Sequence, residues 1–153
     1  MALLNEKDRR EMFRLRRTIV RAEQALSEID RSILPKGLCE SDVSILERLA
    51  RKGARPVNGL ARQVGLTSGS MTSAVQRLRR RGLVETRRDL EDKRVVWVSV
   101  TAEAETIVKR FSRERGELLE QVFHKWSERE RTVLVNLLRR VRKDAGETRG
   151  AAV

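Results

Sequence analysis

The chain has no tyrosine, one cysteine, one histidine and two prolines, and its aromatic residues are three phenylalanines and two tryptophans in 153 residues. A single cysteine, Cys39, excludes an internal disulfide, and without paired Cys/His spacings there is no zinc-finger framework. Catalysis of the Ser-His-Asp kind would have to rest on His124 alone. No glycine-rich phosphate loop follows a strand and no metal-ligand cluster occurs, so the chain reads as a non-enzyme without cofactor or metal. No apolar stretch approaches the roughly 20 residues of a spanning helix, and the first residues lack a signal-peptide layout, which together imply a soluble, cytoplasmic protein with no membrane partner. What is abundant is positive charge. Lysine and arginine number 34 against 22 acidic residues, a net charge of +12. Most of the cations are arginine, which suits phosphate and guanine, so a polyanionic partner is implied.

Apolar residues at Met12, Leu15, Ile19, Ala22, Leu26, Ile29 and Ile33 alternate spacings of three and four, a heptad seam that predicts a long first helix ended by Pro35 and Gly37. A second helix is predicted from about Ser41 to Arg51, closed by Gly53. A third runs through Gln63 with Pro56 in its first turn, and a fourth from about Ser68 to Arg81, capped by Gly82. Strand signals follow at Val84 to Arg88 and Val95 to Val100, joined by the charged tip Asp89 to Arg94. Thr101 can cap a fifth helix reaching about Lys125. Ser127 and Glu130 form a capping box for a sixth helix carrying Val133, Leu134, Leu137, Leu138 and Val141. The tail from Ala145 reads as frayed. Phe13, Phe111, Phe123, Trp97 and Trp126 read as core residues.

Residues Asn58 to Val84 form the informative stretch. Leu60, Val64, Leu66, Met71 and Ala74 place apolar groups where two short helices crossing steeply must pack, while Ala61 and Gly65 keep the crossing small. Thr67 or Ser68 can cap the second helix of the pair. Its outward face presents Ser68, Ser70, Thr72, Ser73, Gln76, Arg77 and Arg80, groups suited to base edges and phosphates. A helix-turn-helix followed by a basic hairpin, or wing, is thus a candidate reader of double-stranded DNA. Arg77 is the expected bidentate guanine contact. A plain pair of packed helices would explain the apolar positions but not the polar outer face, the wing and the charge together.

Two segments, "LARQVGLTSGSMTSAVQRLRRRGLVE" and "RRDLEDKRVVWVSVTAEA", together with the order of the predicted elements, resemble the MarR family of winged-helix bacterial transcription regulators over nearly the whole chain. The resemblance implies a mainly α, winged helix-turn-helix fold with N- and C-terminal dimerisation helices. It further implies an obligate homodimer on a pseudo-palindromic operator, repression more often than activation, and a small-molecule effector bound between dimerisation and reading domains. Residues 1–38 and 102–153 would then form the dimerisation domain and 39–101 the reading domain. In the wing, Asp89, Asp92, Lys93, Arg94 and Val100-Thr101 fall in the family-like pattern, and Arg88, Asp92, Lys93 and Arg94 are its candidate DNA-contacting residues. Arg94 would enter a minor groove, and Asp92 would orient a neighbouring arginine, since a carboxylate facing phosphate is repelled. Leu90 stands in place of the usual wing-tip proline, Ala104 in place of a glycine, and Ser73 where many members carry arginine.

Periodicity alone leaves the seam at Met12, Leu15 and Ile19 open between packing within the chain and pairing across a two-fold axis. Two reading units roughly 34 Å apart multiply specificity, which favours a dimer closed by these residues with Val133, Leu137, Leu138 and Val141. Cys39 lies before a helix N-terminus beside Glu40 and Asp42. Redox-sensing members of the resembled family use a cysteine in the first helix bonded to tyrosines, which this chain lacks, so Cys39 reads as a structural thiol. The alternative function is an architectural, weakly sequence-specific DNA-coating protein.

Overall fold

A computed structural model describes residues 5–151. Its elements are α1 (Glu6–Ser32), α2 (Glu40–Lys52), β1 (Arg55–Pro56), α3 (Val57–Val64), α4 (Ser68–Arg80), β2 (Val84–Arg88), β3 (Val96–Val100), α5 (Ala102–Phe123) and α6 (Glu128–Ala151). The fold is mainly α with one small sheet, as the spacing predicts. The chain divides into two compact units between Arg115 and Gly116, inside α5.

In the first unit, α2, α3, α4 and the start of α5 surround one apolar core. Ile45, Leu46 and Leu49 from α2, Leu60 from α3, Met71 and Leu78 from α4, and Val98 from β3 are fully buried in it. Ala104, Val108 and Phe111 of α5 belong to the same core. That is why the compact unit continues past Thr101, the boundary expected for the reading domain. The sheet order is β1-β3-β2, with Val84 opposite Val100 and Arg88 opposite Val96.

Strand β1, two residues long, is not visible as a strand in the sequence. It pairs Arg55 with Val98 and Pro56 with Trp97. Pro56 therefore precedes α3 as its N-cap, at φ −63° and ψ 137°, instead of entering the first turn. On an edge strand its missing N–H costs the sheet little.

The turn from α4 into β2 is fixed by Gly82, whose φ of 69° is the left-handed conformation in which a Cβ is disfavoured. Thr101 ties the far end of the hairpin to this turn, its hydroxyl donating to the Gly82 carbonyl at 2.8 Å. The same oxygen accepts the Ala104 N–H at 3.3 Å, the expected cap of α5.

Helix α1 buries no residue fully. Phe13, at 59% exposure, does not join the core, contrary to its reading as a core aromatic. Met12, Leu15 and Ile19 are likewise exposed within the single chain.

In the second unit, Phe123 and Trp126 meet edge to face with ring centroids 5.3 Å apart. Trp126 is nevertheless exposed, again unlike a core residue. The Ser127–Glu130 capping box forms as expected, with the Glu130 carboxylate accepting from the Ser127 N–H at 2.8 Å and the Ser127 hydroxyl accepting from the Glu130 N–H at 3.3 Å. Helix α6 runs on to Ala151, so the chain from Ala145 to Ala151 is helical, not frayed as its composition suggests. Lys143 and Glu147 pair at 3.8 Å along it, and the Thr148 hydroxyl donates to the Asp144 carbonyl at 2.8 Å. Val133, Leu137, Leu138 and Val141 are exposed along α6.

Met71 is fully buried and central to the helix crossing. Truncation to alanine leaves a cavity beneath the outward face, so Met71→Ala is expected to lower unfolding free energy by about 2–5 kcal/mol, read from urea titrations against wild type.

Candidate nucleic-acid interface

Helix α4 begins at Thr67, whose Oγ1 accepts the Ser70 N–H at 3.2 Å while its own hydroxyl donates to Ser70 Oγ at 2.9 Å. The helix then buries Met71, Ala74, Val75 and Leu78. Because these recur at helical spacing, the opposite face is committed to solvent. Ser68, Ser70, Thr72, Ser73, Gln76 and Arg80 are all exposed there. The Thr72 hydroxyl donates to the Ser68 carbonyl at 2.9 Å, so its remaining hydrogen-bonding capacity is as an acceptor.

Arg77 departs from expectation. Its Nη2 donates to Asp42 Oδ1 at 2.6 Å and its Nε to Oδ2 at 3.2 Å, so the guanidinium predicted to meet guanine is engaged inward on α2. The reason is the environment of Asp42, which is 1% exposed. An ionised carboxylate removed from water must be met by charge and hydrogen bonds. Besides Arg77, the Cys39 N–H donates to Oδ2 at 3.2 Å, closing a capping box at the start of α2. Burial pushes the Asp42 carboxyl up most strongly. The Arg77 hydrogen bond, the Cys39 bonds and the Arg77 charge together outweigh it and hold the group below its ordinary value.

Four residues on, Arg81, the C-cap of α4, reaches in the same direction. Its guanidinium donates to the carbonyls of Lys36, at 2.9 Å, and Gly37. Gly37 has a φ of +75°, a left-handed conformation that calls for glycine. By contrast Arg79 and Arg80, on the same helix, form no side-chain hydrogen bond or ion pair among the described residues.

The wing is organised by Asp89. Its Oδ1 accepts the N–H groups of Glu91 at 3.0 Å and Asp92 at 3.1 Å, and its Oδ2 accepts the Trp97 indole N–H at 2.8 Å. The Asp92 N–H, the indole and the Glu91 N–H, in that order, hold the Asp89 carboxyl below its ordinary value. Asp92 Oδ1 accepts the Arg94 backbone N–H at 3.0 Å, fixing main chain at the tip. The side chains of Arg88, Lys93 and Arg94 are exposed and unpaired among the described residues. A groove of about 530 Å³ runs between α3, α4 and the wing, with Arg62, Arg79 and Arg94 around it and Thr72 and Gln76 along its wall. Such a cationic, hydrogen-bonding concavity can take phosphate and base edges.

Between α1, α2 and α5 lies a small cavity of about 180 Å³. Arg115 fills its polar side, bound to Glu47, 3.5 Å from Asp30, and stacked over the Phe111 ring at 4.9 Å. Cys39 is exposed, with its Sγ 3.1 Å from Ser41 Oγ and 3.7 Å from Arg77 Nη2. His124 is exposed, its Nδ1 2.7 Å from the Gln121 carbonyl oxygen. No group of three or more His, Cys, Asp or Glu able to hold a metal occurs among the described residues.

Sequence reasoning missed Asp42, Arg81 and Trp97 as organisers of this surface. A local signal existed only for Asp42, which stands three residues after Cys39 at a capping-box position.

The model of the MarR family matches residues 38–96. An uncharacterised HTH-type transcriptional regulator of Bacillus subtilis, YwhA, is 20% identical over 115 residues, covering 75% of this chain and 83% of that protein. Among solved structures, a MarR family protein from Bacillus stearothermophilus superposes with a TM-score of 0.73 at 25% identity, over 94% of this chain and 99% of the other. A mutant MarR from E. coli, complexed with operator DNA, superposes with a TM-score of 0.76 at 22% identity, over 86% of this chain and 95% of the other.

The depressed Asp42 carboxyl makes a signed statement about stability. A group whose folded value lies below its unfolded value of about 4 stabilises the fold above that pH, and the contribution fades as pH falls through the folded value. Asp42→Asn should therefore be less stable than wild type at pH 7. It should also lose less stability between pH 7 and pH 3, as measured by urea denaturation at both. An identical pH dependence in the two proteins would contradict this.

Proposed function

We propose that the chain, whose residues 38–96 match the model of the MarR family and which superposes on a MarR family protein at 25% identity, acts as a homodimeric repressor on a pseudo-palindromic operator. The observation that carries the reading is the sorting of cations on and beside α4: Arg77 and Arg81 are engaged inward, while Arg79, Arg80, Arg88, Lys93 and Arg94 are free among the described residues. In the proposed complex α4 lies in the major groove with Ser68, Ser70, Thr72, Ser73, Gln76 and Arg80 toward base edges and phosphates. Arg94 enters the adjoining minor groove, flanked by Arg88 and Lys93 on phosphates. Asp92 holds the tip backbone and does not touch DNA.

Residues 39–101 serve as the reading domain in this proposal, and 1–38 with 102–153 supply dimerisation. The exposed apolar stripes at Met12, Leu15 and Ile19 and at Val133, Leu137, Leu138 and Val141 are what a second copy covers. Exposed apolar surface of this extent on a small chain favours association through the hydrophobic effect. A small-molecule effector would act by favouring one spacing of the two reading helices over another. The +12 charge also supports a second reading, sequence-tolerant coating of DNA, and one ratio separates the two.

Operator-to-random affinity, measured by fluorescence anisotropy at fixed salt with a duplex selected from a randomised library, should be about 10³ or more for a regulator. A ratio near one supports coating. Arg94→Ala should weaken binding by roughly tenfold or more, in the range of one lost specific contact, without altering the base preference read by α4. Light scattering on a size-exclusion column should give twice the 17.6 kDa chain mass. Leu137→Glu should shift the protein toward monomer and reduce operator affinity, whereas a wild-type monomer at micromolar concentration would reject the dimer.

A further inference from the structure

Arg77 and Arg81 stand four residues apart, on the side of α4 facing α2 and the connection from α1. Arg77 grips the buried Asp42 carboxylate with two donors, at 2.6 and 3.2 Å. Arg81 grips the Lys36 and Gly37 carbonyls. The gripped residues lie within one short stretch, Lys36 to Asp42, that carries the chain from α1 into α2. Neighbouring arginines of the same helix, Arg79 and Arg80, are left to solvent.

Met71, Ala74, Val75 and Leu78 already hold α4 to the core, but apolar contact is non-directional and tolerates small rotations and slides. A two-pronged guanidinium on a carboxylate fixes direction as well as distance. That grip by Arg77 and, a turn further on, the bonds from Arg81 to two backbone carbonyls together fix both the azimuth of α4 and its position along its axis. The outward groups at Ser70, Ser73 and Gln76 are short, so their reach to base edges depends on that placement.

We propose that Arg77 and Arg81 are positioning residues that clamp the recognition helix to the Lys36–Asp42 segment, and that base preference depends on this clamp and not on contact between Arg77 and DNA. The inference rests on the DNA-reading function proposed above and adds the device that aims it. Asp42 is the diagnostic partner, because a residue 1% exposed cannot itself meet a duplex.

The test is a double-mutant cycle with wild type, Asp42→Asn, Arg77→Gln and the double variant. Each is titrated against the selected duplex and against a shuffled duplex of the same composition. Each single change should lower affinity for the selected duplex by roughly tenfold, within the usual range for coupled neighbours, with little change on the shuffled one. The double variant should be no worse than the poorer single.

Additive losses, or tighter binding by Asp42→Asn as Arg77 is freed, would show Arg77 reading DNA directly and overturn the clamp. Far-UV circular dichroism and urea titration check that each variant folds. Should Asp42→Asn not fold, Arg81→Gln decides, since Arg81 bonds only backbone carbonyls at the surface. The selected-to-shuffled ratio should fall, with an unchanged salt slope on the shuffled duplex and partial recovery in Arg81→Lys. An unchanged ratio in Arg81→Gln overturns the proposal. If wild type shows no preference between the duplexes, the DNA-reading function and the clamp are both withdrawn, whereas preference without coupling withdraws the clamp alone.

Discussion

A carboxylate taken out of water organises the first compact unit of this molecule. Asp42 sits at the first turn of α2 among residues that are otherwise apolar, and its charge is tolerable there only because Arg77 and the Cys39 N–H meet both oxygens. Removing one member of such a pair strands the other, at a cost of about 3–5 kcal/mol when the pair is wholly buried. Here Arg77 is 41% exposed, so solvent screening reduces the figure. The consequence is geometric as much as energetic: α4 cannot turn about its axis without drawing Arg77 off Asp42. A core built only of Met71, Leu78, Leu46 and Leu60 would bury the same surface without choosing that orientation.

The wing repeats the device on a smaller scale. A five-residue strand on either side of a charged tip has little core of its own, and an isolated hairpin is marginal. Asp89 supplies what packing does not, accepting two backbone N–H groups and the Trp97 indole. Asp92 satisfies the Arg94 N–H. These wing carboxylates are thus turned onto the protein's own donors, while Arg79, Arg80, Arg88, Lys93 and Arg94 carry the outward field. A positive net charge says only that a polyanion is attracted. The use of Asp42, Asp89 and Asp92 on the protein's own donors leaves the positive charge of α4 and the wing unopposed by these three carboxylates.

Much of this is legible without coordinates. The bounds of α2 and α4, the Gly82 turn, the Thr101 cap and the Ser127–Glu130 box follow from interactions within four or five residues, which local spacing and side-chain type reveal. The solvent face of α4 follows from the periodicity of Met71, Ala74, Val75 and Leu78. Strand β1 escapes because two residues carry no period, and its partner β3 lies some forty positions away, Arg55 against Val98. Phe13 and Trp126 read as core on apolarity alone, although apolar character does not say which surface a side chain covers. The helical run past Ala145 rests on weak local propensity reaching Ala151 with Lys143–Glu147 and Thr148–Asp144 support, too faint a pattern to separate from a frayed end.

What the amino-acid order determined by itself was therefore the set of elements, the sign of the charge and the face of α4 turned outward, because each is governed by neighbours a few residues apart. What only tertiary structure decided was which arginines of that helix remain free. Arg77 finds its partner 35 residues away at Asp42, and Arg81 finds its own 44 and 45 residues away at Gly37 and Lys36. No local pattern distinguishes these arginines from Arg79 and Arg80. The distinction arises when burial of one carboxylate makes a distant guanidinium the group that must answer it.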